Sequence, residues 1–178
     1  MESRQTGVRI RPAVCADAER LAEIFAYYVL HTAVAFDYEP PSAETFRARI
    51  AQVTEAHPWL VAEADGRVLG YAYAGPFVGR AGYRFSRELT IYLDPAARGR
   101  GIGRALYAAL ETRLRALGVR NLYACIGDPA ADDDPYLTRA SERFHARMGF
   151  VRVGVFTKCG YKFERWYNMI WMEKRLEG

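Results

Sequence analysis

Cysteine is scarce in this chain, with three in 178 residues, at positions 15, 125 and 159. An odd number at such distances matches neither a disulfide framework nor the close spacing of a metal site. Cys15, Cys125 and Cys159 therefore read as reduced thiols in buried or incidental positions. Long hydrophobic runs are missing too. No stretch approaches the roughly 18 uninterrupted apolar residues of a membrane helix, and the opening "MESRQTGVRIRP" has charge where a secretory leader has an apolar core. The expectation is a cytoplasmic protein without membrane contact. Nor is charge of one sign concentrated: the net charge is +4, but Lys and Arg are scattered among acidic residues. A nucleic-acid face needs clustered cations with stacking aromatics. Only Arg113, Arg115 and Arg120 gather, near one helix end, as a solvated face. Asp132, Asp133 and Asp134 are consecutive, and side chains so placed rarely converge on an ion, so no metal is expected.

What is present suffices for one domain with a real core. The reading takes 1–178 as that domain, with 1–7 disordered and the core over 8–176. "VRIRPA" alternates apolar and basic residues as a first strand. Leu21, Phe25, Tyr28 and Val29 recur at helical spacing between Asp17 and Leu30, and Ser42 caps a second helix through Thr54. "WLVAEADGRVLGYAYAG" is two strands joined by a tight Asp65-Gly66 turn. Glu88 to Leu93 form a fourth strand. A helix follows over Gly101–Leu117, with Ile102, Leu106, Leu110, Leu114 and Leu117 on one face and Gly118 as its stop. "NLYACI" is a fifth strand, a helix spans Thr138 to Met148, and "FVRVGVF" and "NMIWMEKRL" are the last two strands. The order β-α-α-β-β-β-α-β-α-β-β predicts an α/β (α+β) fold: one mixed, largely antiparallel sheet of about seven strands with helices on both faces.

Between the fourth strand and its helix runs "DPAARGRGIGR", Asp94 to Arg104. Glycines let successive backbone N–H groups converge, and the first turn of a helix has N–H groups without partners, so this turn is suited to a phosphate. Arg98, Arg100 and Arg104 add positive charge. The bland reading is a tight turn solvated by arginines. Two phosphate loops are excluded: no Gly-Lys-Ser/Thr is present, and the glycine spacing and fourth-strand position do not match a dinucleotide fingerprint.

Arg98-Gly99-Arg100-Gly101-Ile102-Gly103 resembles the Arg-x-x-Gly-x-Gly loop of the Gcn5-related N-acetyltransferases (GNAT), over nearly the whole chain from Val8 to Leu176. "FDYEPP", "HPWLVAE", "GYAYAGPF" and "KFERWYNM" are similar to segments of the phosphinothricin and methionine sulfoximine acetyltransferases within that superfamily. The resemblance implies acetyl-CoA as cofactor, with Gly99, Arg100, Gly101, Ile102 and Gly103 holding its pyrophosphate beside Arg98 and Arg104. Backbone groups of Ile91, Tyr92 and Leu93 would pair with its pantetheine arm. It implies Glu88 as the general base, acting through water; the other reading is a strand-edge carboxylate in solvent. An ordinary glutamate titrates near ~4.3, so this role requires its pKa to rise or its proton to pass through solvent.

"TRASERFHARMGF" matches the family's Asn-x-x-Ser-x-x-hydrophobic-His segment at Ser141, Phe144 and His145, with Thr138 in place of Asn. Thr138 and Ser141 would face the cofactor, and His145 stands where a general acid for the thiolate would lie, or is a satisfied core residue. His31 and His57 read as structural. Phe36, Arg80 and Tyr83 match the acceptor pocket, where Arg80 would pair with an α-carboxylate. Val78 replaces the family's Lys, Arg84-Phe85 replaces Asp-Trp, and the acidic loop 128–135 is longer than is common, so the acceptor is left open. It is an amino-acid-like small molecule, or a protein N-terminus, lysine or other amine; an acetyl-CoA sensor without turnover is the non-enzymatic alternative. Trp166, Tyr167 and Trp171 are core, or the interface of the homodimer that the resemblance implies.

Overall fold

The protein, described here by a computed structural model over residues 7–176, has the element order read from its sequence. Disorder was expected for residues 1–7; of these, 1–6 lie outside the described residues. The first strand is β1 (Arg9–Pro12), followed by helices α1 (Ala18–His31) and α2 (Ala43–Thr54). Strands β2 (Trp59–Ala64), β3 (Arg67–Pro76) and β4 (Ser86–Leu93) precede helix α3 (Ile102–Ala116). Then come β5 (Asn121–Asp128), helix α4 (Ala140–Arg147), β6 (Val151–Lys162) and β7 (Arg165–Arg175).

The seven strands form one sheet in the order β1-β2-β3-β4-β5-β7-β6. Every pairing is antiparallel except β4 with β5. The β2–β3 turn is tight because Asp65 and Gly66 both take positive φ, 51° and 73°, as such a hairpin turn requires. Helix α2 begins where the Ser42 Oγ accepts the Thr45 N–H at 3.1 Å.

Each face of the sheet is buried by helices. On one, Leu106, Leu110 and Leu114 of α3 pack without exposure on Leu60, Leu122 and Ile170. On the other, Leu21, Phe25 and Tyr28 of α1 and Phe46 and Ile50 of α2 pack on Trp59, Val61 and Tyr71. Each such side chain contributes about 1.5–3 kcal/mol by leaving water.

Several boundaries differ from the sequence reading. Leu117 is exposed, because α3 ends at Ala116 and Leu117 and Gly118 turn away. Helix α4 starts two residues after Thr138. The last two strands are longer than expected and form a hairpin whose turn is Phe163-Glu164, both at positive φ. Cys15, Cys125 and Cys159 are all exposed, not buried.

Candidate active site

Strands β4 and β5 pair over three residues only: Ser86 with Asn121, Arg87 with Leu122 and Glu88 with Tyr123. Beyond that point they part. Between them lies a cavity of about 220 Å³ lined by Glu88 to Tyr92 on one side and Ala124 to Gly127 on the other. Glu88 occupies the last rung before the parting, so the pairing that holds its backbone also places its carboxyl at the apex of the opening. Its side chain makes no hydrogen bond or ion pair among the described residues, and burial raises its pKa above the ordinary carboxylate range. A carboxylate held this way is a stronger base than one in solvent. Cys125, although exposed, is recessed in the same cavity, and partial desolvation there, then the nearby Glu88 charge, push its thiol up to about 12. At neutral pH it is a thiol, not the thiolate that nucleophilic catalysis needs.

The opening widens into a groove of about 490 Å³ bounded by α1, the glycine turn and α4. Three glycines of the turn serve different purposes. Gly99 and Gly101 have φ of +75° and +77°, which L side chains adopt only with strain. A Cβ on Gly103 would meet the Phe144 ring at 3.1 Å, so this glycine lets α3 lie close beneath α4. Helix α3 carries no side-chain cap among the described residues, in contrast to α2, which leaves its first N–H groups and its dipole facing the groove end. That is what an anion such as pyrophosphate requires. Arg98 lines the groove with its guanidinium over the rings of Tyr28 and Tyr27, at 5.1 and 5.8 Å.

Of the expected cofactor residues, Ile91, Leu93, Arg98, Gly99, Gly103, Thr138 and Ser141 line this groove, and Ile91, Tyr92 and Ser141 line the smaller cavity. Arg100 and Arg104 are exposed beside it, Gly101 is the N-cap of α3, and Ile102 is core. The Leu93 carbonyl already accepts the Tyr28 hydroxyl at 2.6 Å. Thr138 lines the groove just before α4, and its Oγ accepts the Ala140 N–H at 3.3 Å.

His145 is buried. Its Nδ1 donates to the Ser141 carbonyl at 2.8 Å, which leaves Nε2 to accept the Tyr107 hydroxyl at 2.9 Å. Burial lowers its pKa, opposed by the Ser141 bond, so the ring is neutral near pH 7. In this tautomer neither nitrogen presents a proton to the cavity, which His145 and Tyr107 both line.

The acidic loop has a structural job. Asp128 and Asp132 both hold Arg139, and Asp134 accepts the N–H groups of Tyr136 and Leu137 at 2.9 Å and the Tyr167 hydroxyl at 3.2 Å. It thereby fixes the wall that Tyr136, Leu137 and Thr138 present to the groove. Sequence reasoning missed Tyr27, Tyr28, His31, Tyr107 and Tyr136 as lining residues. No local pattern marks them, since contacts across many residues of chain make them neighbours.

A further cavity opens on the β5–β7–β6 side, lined by Phe36, Tyr38, Cys125, Cys159, Asn168 and Met169 among others. Phe36 lines this cavity, which adjoins the Glu88 cavity through the shared Val34, Cys125 and Gly127. Arg80 and Tyr83 are not in either lining: both are exposed on the β3–β4 loop, with the Tyr83 ring against Phe77. Tyr167 is core, Trp171 packs edge-on to Phe77, and Trp166 is exposed. Among the described residues no three His, Cys, Asp or Glu side chains gather as a metal site, and no helix is long and apolar enough to cross a membrane.

Residues 10–171 match the family described as the acetyltransferase (GNAT) domain. A phosphinothricin N-acetyltransferase of Alcaligenes faecalis is 36% identical over 181 residues, covering 97% of this chain and 88% of that protein. An L-methionine sulfoximine/L-methionine sulfone acetyltransferase of Salmonella typhimurium is 32% identical, covering 94% of each. In three dimensions, the crystal structure of a phosphinothricin acetyltransferase from Sinorhizobium meliloti in complex with AcCoA has a TM-score of 0.84. It is 36% identical, over 95% of this chain and 88% of that one.

Proposed function

The chain belongs to the GNAT acetyltransferases, and from that premise we propose that it moves the acetyl group of acetyl-CoA to the α-amine of a small amino-acid-like acceptor. The observation that carries this is Glu88 at the apex of the β4–β5 opening, with raised pKa and no counter-charge. Bound acetyl-CoA supplies the activated acetyl thioester. The uncapped start of α3, with Gly99 to Gly103 and Arg98, holds its pyrophosphate, and the unpaired edge of β4 from Ile91 to Leu93 receives the pantetheine arm. Glu88 takes the proton of the acceptor's ammonium, directly or through water, so that the amine attacks as a free base. Once the amine has added to the thioester carbonyl, its nitrogen carries an extra proton, which passes directly or through water to the departing coenzyme A thiolate. His145 accepts the Tyr107 hydroxyl and so holds it in place. The neutral Cys125 supports direct transfer over a covalent relay.

The acceptor pocket in this reading is the Phe36 cavity, with acceptors of the phosphinothricin, methionine sulfoximine or methionine sulfone type. Arg80, exposed on its loop, is the expected partner of the α-carboxylate. Its absence from the cavity linings favours keeping a peptide N-terminus or lysine as the second acceptor class. A homodimer is part of the proposal: Val153, Val155, Phe156 and Trp166 are exposed on β6 and β7 at the edge of the sheet. The deciding experiment is turnover of acetyl-CoA with L-methionine sulfone, L-methionine sulfoximine, phosphinothricin and peptides. Turnover with amino acids is expected; activity confined to peptides overturns the small-acceptor assignment. Cofactor binding without turnover on any amine makes the protein a sensor.

A further inference from the structure

Lys162, at the end of β6, is 3% exposed. Its Nζ donates to two backbone carbonyls at 2.6 Å, that of Val29 in the last turn of α1 and that of Ala35 in the following loop. The Val29 carbonyl is one of the last four of its helix, which have no partner within the helix and sit at the negative end of its dipole, so a cation from another element satisfies both. Ala35 lies between Val34 and Phe36, both in the wall of the Phe36 cavity. The rest of that wall leans on the same hairpin. The Tyr38 hydroxyl donates to the Tyr161 carbonyl at 2.7 Å, and the Phe36 ring lies so close over Gly160 that a Cβ there would meet it at 2.5 Å.

Resting on the reading of that cavity as the acceptor pocket, we propose that Lys162 is a positioning residue for the acceptor. Its two bonds fix the α1–α2 loop, and with it Phe36, against the β6–β7 hairpin. The side chain touches neither substrate. Its effect falls mainly on acceptor binding, because Ala35, which it holds, sits between Val34 and Phe36; of that loop only Thr32 and Val34 also line the cofactor groove. A buried ammonium with two carbonyl partners costs several-fold more to lose than an ordinary hydrogen bond, because both carbonyls are left unpaired.

The test compares wild type with Lys162→Met, Lys162→Gln and Gly160→Ala, using L-methionine sulfone as acceptor. Lys162→Met is expected to raise the acceptor KM about tenfold or more, leaving the acetyl-CoA KM within about twofold. Gly160→Ala, which displaces the Phe36 ring with Lys162 intact, gives the same pattern. Amide hydrogen exchange without substrates is expected to accelerate in 32–38 and not in 98–104. Folded Lys162 variants with an unchanged acceptor KM, or with exchange in 32–38 unchanged, overturn the proposal. So does failure of both Lys162 variants to fold, which makes the residue a pillar of stability alone. If the wild type acetylates no amino acid, it is the reading of the pocket that fails; the exchange measurement still decides whether Lys162 holds the loop.

Discussion

Glu88 joins two properties seldom found together in a carboxylate: burial, which raises its pKa, and open access to a cavity. If it is the base, kcat/KM falls as pH drops through that raised pKa, and the acid limb lies above the ~4.3 of a free glutamate. Glu88→Gln is expected to lower kcat by about 10²–10⁴-fold and to abolish this limb, with acetyl-CoA affinity nearly unchanged. A pH–rate profile checks both. Stability has the opposite sign. A folded-state pKa above the unfolded one favours the protonated group, so the stability Glu88 contributes below its unfolded pKa is lost as pH rises through the folded value. Removing the charge therefore raises the melting temperature at pH 7, and the gain vanishes below about pH 4. A Glu88→Gln enzyme that melts lower than wild type at pH 7 contradicts the buried, unpaired carboxylate.

At the scale of elements, the glycine turn separates fold from function. Gly101 and Gly66 both have positive φ, but only Gly101 opens a helix at the groove. Replacing either with Ala is expected to cost about 1–2 kcal/mol of stability. Only Gly101→Ala also raises the acetyl-CoA KM, which steady-state kinetics with both variants resolves. This turn was legible in sequence because glycine is the residue that such backbone needs. The same logic explains what was not legible. The β2–β3 turn announced itself as Asp65-Gly66, whereas the β6–β7 turn places Phe163 and Glu164 at positive φ, where neither residue type signals a turn. Strand β6 lies at the sheet edge with most side chains exposed, so it lacks the alternation by which a half-buried strand is recognised. Glu88 and the glycine turn are neighbours in sequence and were singled out together. The wall of the Phe36 cavity, the Tyr107–His145 pair and Lys162 depend on contacts between residues 38 to 133 apart, and no local pattern reports them.

For the whole molecule, acetyl-CoA binds only the folded form, so it raises thermal stability by an amount set by concentration over Kd, about 2.7 kcal/mol at 100 Kd. No shift at millimolar acetyl-CoA contradicts the cofactor assignment. If the uncovered β6–β7 edge is a dimer face, Val155→Lys with Phe156→Lys converts the protein to a monomer in sedimentation velocity; a wild type already monomeric at micromolar concentration removes that interface. The parting of β4 and β5 has one more consequence. Unpaired strand edges ordinarily recruit other chains and lead to aggregation. Here two of them face each other inside the sheet, across a gap whose open end is flanked by α1 and α4. The protein can hold the edge of β4 apart from β5 without displaying it as a template to its neighbours.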